Sequence, residues 1–358
     1  MNFLNKKILN FSESAFGLDL SDLSVKIAQM QENKEGKEVV SFGSINIPKG
    51  SIIDGEIIRQ DQVAAAIKKV IVNAGPKKIR TKKVICSLPE TKAFLRIINL
   101  PEMKKEEIKE AIRWEIEANI PMSVDQVYYD WQLLDKKFTE EKGKVNVLVV
   151  AFSKKIINQF METLEMAGLQ VVGMEIESIA QARSLLQEND EKTSLVVDLG
   201  DKRTSLLVII GNIPCFTSSI PISGSRMTEA ISSMLATSFE EAEKTKLAYG
   251  IGSVSQQDVI FRAVKPILDG LAMEIERTTD FYLSNLGYSG SIDRIIVCGG
   301  GSNMQGLIPY LSKKLNREIE LGNPWINFLT LGRVPIIEKS KSVQYSTAIG
   351  LALKGLYL

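Results

Sequence analysis

The chain is 358 residues long, with 44% hydrophobic and 24% charged residues, and this length suits a globular protein of two or more lobes. Lys and Arg number 44 and Asp and Glu number 43, so the charge gives no electrostatic reason to expect nucleic acid or an anionic membrane as a partner. The absence of histidine excludes catalytic triads and metal sites that depend on it. Any chemistry must use carboxylates, Lys, Arg, backbone amides and a bound ion.

The cysteines and the apolar segments indicate where the protein resides. Cys86, Cys215 and Cys298 are far apart and form no CxxC pair, which argues against a disulfide framework or a zinc site. We expect them to be small buried hydrophobic residues in a reducing compartment. The apolar stretch at 8–11 is too short for a signal peptide, and no later segment has the length to span a bilayer. We therefore expect a cytoplasmic protein with no direct membrane insertion.

Two similar β-hairpins are predicted, at 16–28 and at 195–208. Each is a strand, a polar turn and a second strand, and Asp19 and Asp198 close the two first strands. A further strand follows each hairpin. Two related hairpins that open the two halves of a chain predict two similar lobes that face a cleft.

Hydrophobic periodicity predicts the remaining elements in chain order. Asp61 is predicted to cap the first helix, and Gly75 to end it. Residues 89–165 are predicted to form a small α/β subdomain set into the first lobe. The predicted helices are 62–73, 103–119, 154–167, 175–186, 225–235, 238–249, 258–286, 305–315 and 345–355, and the predicted further strands are 39–47, 83–88, 127–134, 145–152, 213–220 and 292–298.

The first hairpin carries groups that bind phosphate. A tight turn after Asp19 directs backbone N–H groups toward one point, which makes a nest for an anion. Ser21 and Ser24 add hydroxyl donors, and Lys26 supplies a positive charge. Phosphate would repel Asp19, so we expect this carboxylate to hold Mg²⁺ through water.

The second hairpin offers the same groups, with Asp198 for the ion and Gly200 and Thr204 for close approach of phosphate. Either hairpin alone is weak support for a phosphate site, since Asp, Gly and Ser are common in ordinary turns. The two hairpins and the glycine-rich element described next together give stronger support for a phosphate site.

That element is a buried strand that leads into Gly299, Gly300, Gly301 and Ser302. Successive glycines let a flat ring approach the backbone, and the N-terminus of a following helix favours anions. An ordinary strand-to-helix turn is the alternative, but it does not need three glycines. The sequence contains no Walker motif and no GxGxxG after a strand, so it supports neither a P-loop nor a Rossmann site.

The three elements together resemble the actin–Hsp70–sugar kinase superfamily. Within it, the chain is similar to the type IV pilus assembly PilM family, and the likeness covers nearly the whole chain. The residues that carry this likeness are Leu100-Pro101-Glu102-Met103, Ala111-Ile112, Glu115, Ile120-Pro121, Tyr129-Asp130-Trp131-Gln132-Leu133, Glu177-Ser178-Ile179-Ala180 and Ala348-Ile349-Gly350-Leu351-Ala352.

The resemblance implies an actin-like fold, in which two RNase H-like lobes enclose a nucleotide cleft and a small α/β subdomain is inserted in the first lobe, as in the cell-division protein FtsA. It implies the following division of the chain: a first lobe of 1–88, 166–188 and 340–358, an inserted subdomain of 89–165, a second lobe of 189–224 and 262–339, and a helical subdomain of 225–261.

The resemblance also implies that ATP and Mg²⁺ occupy the cleft. The first phosphate site would be formed by Asp19, Ser21, Ser24 and Lys26, the second by Asp198, Gly200 and Thr204, and the adenosine site by Gly299, Gly300, Gly301 and Ser302.

Three further residues receive roles in the same way. Glu243 and Lys246 would contact adenine and ribose, although their spacing alone favours a solvated charged helix face. Glu177 stands where relatives place the residue that orients water. Asp22, and the bulky turn at 201–203, depart from the pattern of relatives and argue against fast hydrolysis, so we expect at most a slow Mg-dependent ATPase.

The implied partner is the cytoplasmic tail of a PilN-like inner-membrane protein, held beside the inserted subdomain in the type IV pilus assembly platform or a related secretion or competence system. Trp114, Tyr128, Tyr129 and Trp131 would line its groove, or form the core of that subdomain. Pilus assembly ATPases and further copies of the chain are other possible partners, and the protein would sit at the inner face of the membrane through its partner.

Two alternatives belong to different classes. A small-molecule kinase of the superfamily would need an acidic base placed for a substrate hydroxyl, and no substrate motif is identified. An FtsA-like polymerising adaptor would need a C-terminal amphipathic helix for the bilayer, and the sequence given ends directly after its closing helix at 345–355.

Overall fold

The computed structural model describes residues 14–34, 36–120, 122–134, 143–251, 255–285, 291–328 and 337–357. The strands in these ranges are β1 (Phe16–Leu20), β2 (Ser24–Asn33), β3 (Gly36–Asn46), β4 (Ile52–Ile53), β5 (Glu56–Ile57), β6 (Gly75–Pro76), β7 (Lys83–Leu88), β8 (Ala93–Pro101), β9 (Val127–Leu133), β10 (Lys144–Ser153), β11 (Gln170–Ile176), β12 (Thr193–Leu199), β13 (Thr204–Ile210), β14 (Ile213–Ile220), β15 (Arg294–Cys298) and β16 (Ile319–Leu321). They pair into a six-stranded sheet of order β11-β7-β1-β2-β3-β6, a five-stranded sheet of order β14-β13-β12-β15-β16, a three-stranded sheet of order β8-β10-β9 and the hairpin β4-β5.

The helices cover the faces of these sheets and fill the space between them. Their bounds are α1 (Gln60–Asn73), α2 (Lys105–Asn119), α3 (Lys154–Met166), α4 (Glu177–Leu185), α5 (Gly224–Leu235), α6 (Phe239–Tyr249), α7 (Ser255–Asn285), α8 (Leu307–Leu315), α9 (Lys339–Ser342) and α10 (Ser346–Gly355). None of the helices in the described ranges combines the length and the hydropathy that a bilayer crossing needs.

The two larger sheets repeat one topology, which confirms the two similar lobes predicted from the hairpins. In the first, β1 pairs antiparallel with β2 and parallel with β7. In the second, β12 pairs antiparallel with β13 and parallel with β15. The hairpin turns after β1 and β12 therefore lie at the carboxyl ends of parallel strands, where α/β sheets form their binding sites.

Helices α4 and α10 pack between the two sheets. Ala182 and Leu185 of α4 pack against the second sheet, and Ile349 and Leu353 of α10 pack against the first. The two helices meet so closely that a Cβ on Gly350 would lie 1.8 Å from the carbonyl oxygen of Ala180. The backbone contact between the helices is thus the joint between the lobes.

The three-stranded sheet has its own core. Ile108, Ile112 and Ile116 of α2 pack on Val147 and other buried residues of the sheet. This sheet lies within the segment predicted to be inserted, while the exact division of the chain into domains stays a prediction.

Several sequence predictions needed correction. Helix α1 begins at Gln60 with Arg59 at its N-cap, so the prediction of Asp61 as the cap was wrong. The strands β8 and β11 were not predicted, and Glu175 and Ile176, which were assigned to a helix, end β11. Their strand partners lie far away in sequence, and local periodicity does not report such pairing. The three cysteines are buried and free, as expected.

The joint between α4 and α10 can be tested by placing a methyl group in it. Gly350→Ala should lower the free energy of unfolding by more than about 2 kcal/mol, because the new Cβ cannot fit against Ala180. Gly270→Ala, in the middle of α7, is the matched control. Its Cβ would meet no atom closer than 3.4 Å, so helix propensity should make this change neutral or stabilising by up to about 1 kcal/mol. Urea unfolding of both variants measures the contrast, and equal stabilities would refute the close joint.

Candidate functional site

The two lobes enclose a cavity of about 430 Å³ at the carboxyl ends of β1, β7, β11, β12 and β15. Both hairpin turns, the start of α4 and the turn after β15 meet there. Of the residues predicted to form the site, the cavity wall contains Asp19, Ser21, Ser24, Lys26, Glu177, Asp198, Gly200, Glu243, Gly299 and Gly300.

The first hairpin brings its polar groups together through its strand register. Lys26 lies directly opposite Asp19 in the antiparallel pair, and its Nζ is 3.7 Å from Asp19 Oδ2. The same Nζ donates to Ser24 Oγ at 3.0 Å, and the hydroxyls of Ser21 and Ser24 lie 3.1 Å apart. The turn therefore presents one ammonium group and two hydroxyls to the cavity, the donor set that a phosphate needs.

Asp19 is held from behind by β7. Ser87 Oγ donates to Asp19 Oδ1 at 3.3 Å and accepts a hydrogen bond from the backbone N–H of Leu20 at 3.0 Å. Burial raises the pKa of Asp19, while the charge of Lys26 and the bond from Ser87 act to lower it. The carboxylate is fixed in orientation and lacks full charge compensation.

Asp198 of the second hairpin is held by α4. Gln181 donates through its amide nitrogen to Asp198 Oδ2 and to Thr347 Oγ1 of α10. Burial raises the pKa of Asp198, and the bond from Gln181 partly offsets that rise. Gln181, on the joint helix α4, therefore orients the Asp198 carboxylate in the cleft.

Thr204, in contrast, turns away from the cavity. Its hydroxyl is buried and donates to the carbonyl oxygen of Ile222 at 2.7 Å. Gly200 does face the cavity, and a Cβ there would lie 2.8 Å from the carbonyl oxygen of Arg203. In this conformation Thr204 supports the turn, and the backbone near Gly200 is the part that faces a ligand.

The residues of the glycine-rich turn differ in what surrounds them. Gly299 has φ +82°, and a Cβ would lie 2.1 Å from Asp198 Oδ1, so only glycine fits beside that carboxylate. Gly300 has no atom within 4 Å of an added Cβ, which leaves open space for a flat ring. Gly301 packs on Leu199, and Ser302 is buried with its hydroxyl donating to the carbonyl oxygen of Gly299 at 2.7 Å.

Glu243 faces the cavity, and Lys246 is buried behind it. Lys246 Nζ donates to Glu243 Oε2 at 2.7 Å, to Thr228 Oγ1 at 2.8 Å and to the carbonyl oxygen of Gly224 at 3.0 Å. These three bonds use all three ammonium protons. Lys246 therefore fixes Glu243, and its position differs from the solvated helix face that the spacing alone favoured.

Negative charge accumulates in the cleft. Burial raises the pKa of Glu177 well above its ordinary value, and Asp19, Asp198 and Glu90 add to that rise. No group of three Cys, Asp or Glu side chains in the described part of the chain is arranged to hold a metal ion directly. A cation that arrives with its own water and ligand would relieve this repulsion.

Sequence reasoning missed Glu90 and Gln181. Gln181 stands four residues after Glu177, so helical spacing placed both on one face of α4 and could have suggested it. Glu90 follows β7, the strand between those that end near Asp19 and Glu177, and only the strand order reveals its position.

Two residues that depart from the pattern of relatives, Asp22 and Arg203, contact the hairpin β4-β5. Asp22 Oδ1 accepts a hydrogen bond from the backbone N–H of Gly55 at 3.0 Å. Arg203 pairs with Asp54 at 2.7 Å across the mouth of the cleft. Both interactions draw charged side chains toward this hairpin.

Comparison with known proteins identifies the family of this chain. The sequence model of the family described as type IV pilus assembly protein PilM matches residues 17–356. The chain belongs to the PilM family. The solved PilM–PilN type IV pilus biogenesis complex contains a chain that matches with a TM-score of 0.80 and 27% identity, over 96% of this chain and 98% of that chain.

More distant relatives share the actin-like fold. Cell division protein FtsA of Bacillus subtilis (strain 168) is 21% identical over 388 residues, which cover 96% of this chain and 83% of FtsA. The structure of MreB5 of Spiroplasma citri bound to ADP matches with a TM-score of 0.52 at 13% identity, over 96% of each chain. These likenesses confirm the actin-like fold with two lobes around a cleft that the sequence predicted.

The repulsion in the cleft predicts that one substitution stabilises the protein without ligand. Glu177→Gln should raise the free energy of unfolding by about 1 kcal/mol near neutral pH, because burial and three neighbouring carboxyl groups disfavour the ionised form of Glu177 in the folded protein. The folded pKa of Glu177 is raised, so the gain is complete above that pKa. The gain disappears as the pH falls through that pKa toward the ordinary value of 4.5, since both states are then protonated. Urea unfolding at several pH values measures this.

Glu175→Gln is the control of opposite sign, two residues away. Burial acts to raise the pKa of Glu175, but Arg183 and Lys354 outweigh it and lower that pKa. Loss of this buried carboxylate should cost about 2 kcal/mol. The cost is complete above the unfolded pKa and is lost as the pH falls through the depressed folded pKa. A stability change of the same sign in both variants would contradict the charge balance described here.

Proposed function

We propose that this protein is an ATP-binding scaffold of the type IV pilus assembly platform, or of a related secretion or competence system. It would bind the cytoplasmic tail of a PilN-like inner-membrane protein, and closure of its lobes on nucleotide would change that binding. It would thereby sit at the inner face of the cytoplasmic membrane. The observation that carries the proposal is the convergence of both hairpins and the glycine-rich turn on one cavity.

The residues of the cleft fit a magnesium nucleotide. Lys26, Ser21 and Ser24 supply phosphate donors, and the space beside Gly300 accepts a flat ring. Asp19 and Asp198 are oriented carboxylates of the kind that hold the water shell of Mg²⁺. The matched MreB5 structure contains ADP, which supports a nucleotide in the same fold.

Any hydrolysis of the nucleotide would be slow. Mg²⁺ would supply charge neutralisation for the phosphates. Glu177 lines the cavity near the two ion-holding aspartates, and there it would orient a water molecule. Burial and the neighbouring carboxylates raise the pKa of Glu177, and a cation bound in the cleft would lower that pKa again, so the role of Glu177 toward water depends on that cation.

A second cavity, of about 620 Å³, fits the partner tail. It lies between the inserted sheet and the joint helices, and β9, which lines it, is an edge strand of the inserted sheet. Edge strands bind extended peptides through their backbone groups. Its lining contains both apolar side chains and the charged groups Asp130, Glu175, Arg183 and Lys354, which suits a short amphipathic tail.

The aromatic residues relate differently to the two roles considered from the sequence. Tyr129 and Trp131 pack partly against the core of the inserted sheet and also line the second cavity. Tyr128 is 50% exposed, lines the second cavity and lies under Lys154 Nζ at 5.2 Å from its ring centre. Trp114 is 71% exposed on α2 and does not line this cavity.

Nucleotide binding can be tested by thermal and chemical unfolding with ATP and Mg²⁺. A ligand at 100 times its dissociation constant should add about 2.7 kcal/mol to the free energy of unfolding. Asp19→Ala and Lys26→Ala should each reduce that gain, because they remove an ion-holding carboxylate and a phosphate-binding ammonium group. Glu102→Gln, an exposed change directly after the end of β8, is the control and should respond as the wild type does. A wild type that gains no stability at millimolar ATP, with direct titration in agreement, would make the protein a nucleotide-independent adaptor.

Partner binding can be tested with a synthetic peptide of the N-terminal cytoplasmic segment of a PilN-like protein. Tyr128→Ala should weaken binding by about tenfold, as loss of an interfacial tyrosine often does. Trp114→Ala removes a more exposed aromatic ring from the same subdomain and should leave the affinity unchanged. Fluorescence anisotropy of a labelled peptide measures both. A stronger effect of Trp114→Ala would move the binding surface to α2.

A further inference from the structure

Glu90 is a buried carboxyl group that the functions described so far do not use. It follows β7 and begins the single turn, Glu90–Lys92, that leads into β8 of the inserted sheet. Only 7% of the residue is exposed, and neither carboxyl oxygen has a hydrogen-bond partner among the described residues. A buried polar group without a partner costs free energy, so its presence in the wall of the cleft calls for a reason.

The position of Glu90 is set by strand order. Strands β1, β7 and β11 run parallel and adjacent, so Asp19 near the end of β1, Glu90 after β7 and Glu177 after β11 lie in one row. The backbone N–H of Glu90 faces the Glu177 carboxylate and acts to lower its pKa. The turn that starts β8 therefore also sets the surroundings of Glu177.

Three parts of the molecule meet at this turn. Ser178 belongs to α4 in the joint, Thr217 belongs to β14 of the second lobe, and Glu90 itself begins the connection to the inserted sheet. Burial raises the pKa of Glu90, and both hydroxyls and the backbone N–H of Ser178 lie close enough to act against that rise, but none of the three makes a hydrogen bond in good geometry with its carboxyl oxygens in this conformation. The Ser178 hydroxyl is likewise buried without a partner. A small movement of Ser178 on α4 and of Thr217 on β14 toward Glu90 would bring both hydroxyls into hydrogen-bond geometry with its carboxyl group.

We propose that Glu90 is a positioning residue for Glu177 that couples the inserted sheet to the occupancy of the cleft. When the lobes close on a magnesium nucleotide, Ser178 and Thr217 donate to the Glu90 carboxyl, and the start of β8 moves with it. This inference rests on the proposed binding of a nucleotide in the cleft. It assigns the coupling to the Glu90 side chain, whereas closure of the lobes by itself names no single residue.

Amide hydrogen exchange on the full chain tests the inference, with and without saturating ATP and Mg²⁺. In the wild type, ATP and Mg²⁺ should slow exchange in the hairpin β1-β2 and in β8, each by at least about threefold, a change that native-state exchange resolves. In Glu90→Met, which keeps the size of the side chain but removes its oxygens, the response of β8 relative to that of the hairpin should disappear. Glu90→Gln, whose amide oxygen still accepts hydrogen bonds, should restore part of it.

Two further variants separate coupling from general damage. Thr217→Val keeps the shape of a residue outside the cleft wall but removes its hydroxyl, so β8 should respond less, as in Glu90→Met. Glu102→Met, at the other end of β8, should respond as the wild type does. If Glu90→Met does not fold, Thr217→Val alone still decides the question.

The outcomes are distinct. A wild type without protection in the hairpin β1-β2 refutes the proposed nucleotide site. A hairpin response with an equal response of β8 in the wild type, Glu90→Met and Thr217→Val overturns the role of Glu90. Loss of the hairpin response itself in Glu90→Met also overturns it, because Glu90 would then belong to the nucleotide site.

Discussion

The close backbone contact between α4 and α10 is the constraint on which both cavities depend. It requires Gly350, whose missing side chain lets α10 approach Ala180 of α4. The two helices then lie between the sheets with different residues at each end. Gln181 and Thr347 face the cleft, whereas Arg183 and Lys354 share Glu175 beside the inserted sheet. A wider separation of the helices would disturb both sets of contacts together.

The cleft is built at an electrostatic cost. Glu90, Glu177, Asp19 and Asp198 are crowded at the carboxyl ends of neighbouring strands, and burial raises the pKa of each. Lys26 offsets only part of this charge. Such unfavourable clusters of charge occur in proteins where a bound ligand offsets them. A hydrated cation would offset the carboxylates of this cleft, and a phosphate chain would pair with its ammonium group.

Membership of the PilM family and the actin-like fold agree with this view of two connected sites. In the proposed function the cleft takes a small ligand, and the surface beside the inserted sheet takes a peptide. The turn at Glu90–Lys92 connects the strand that ends at the cleft with the strand that enters the inserted sheet. Coupling between the two sites would therefore pass through a short stretch of chain as well as through the joint helices.

The sequence by itself determined the paired hairpins, the glycine-rich turn and the family resemblance, since these depend on residues that are neighbours in the chain. Asp19, Lys26 and Asp198, which the sequence assigned to the proposed site, line the cleft, because strand register follows from the hairpin. Tertiary structure alone decided that Thr204 and Lys246 turn into the protein while Glu243 faces the cleft. It alone brought Glu90 beside Glu177, and Gln181 to Asp198. Those positions depend on the order of parallel strands and on the contact between two helices that are far apart in the sequence. Local sequence periodicity predicts neither of these.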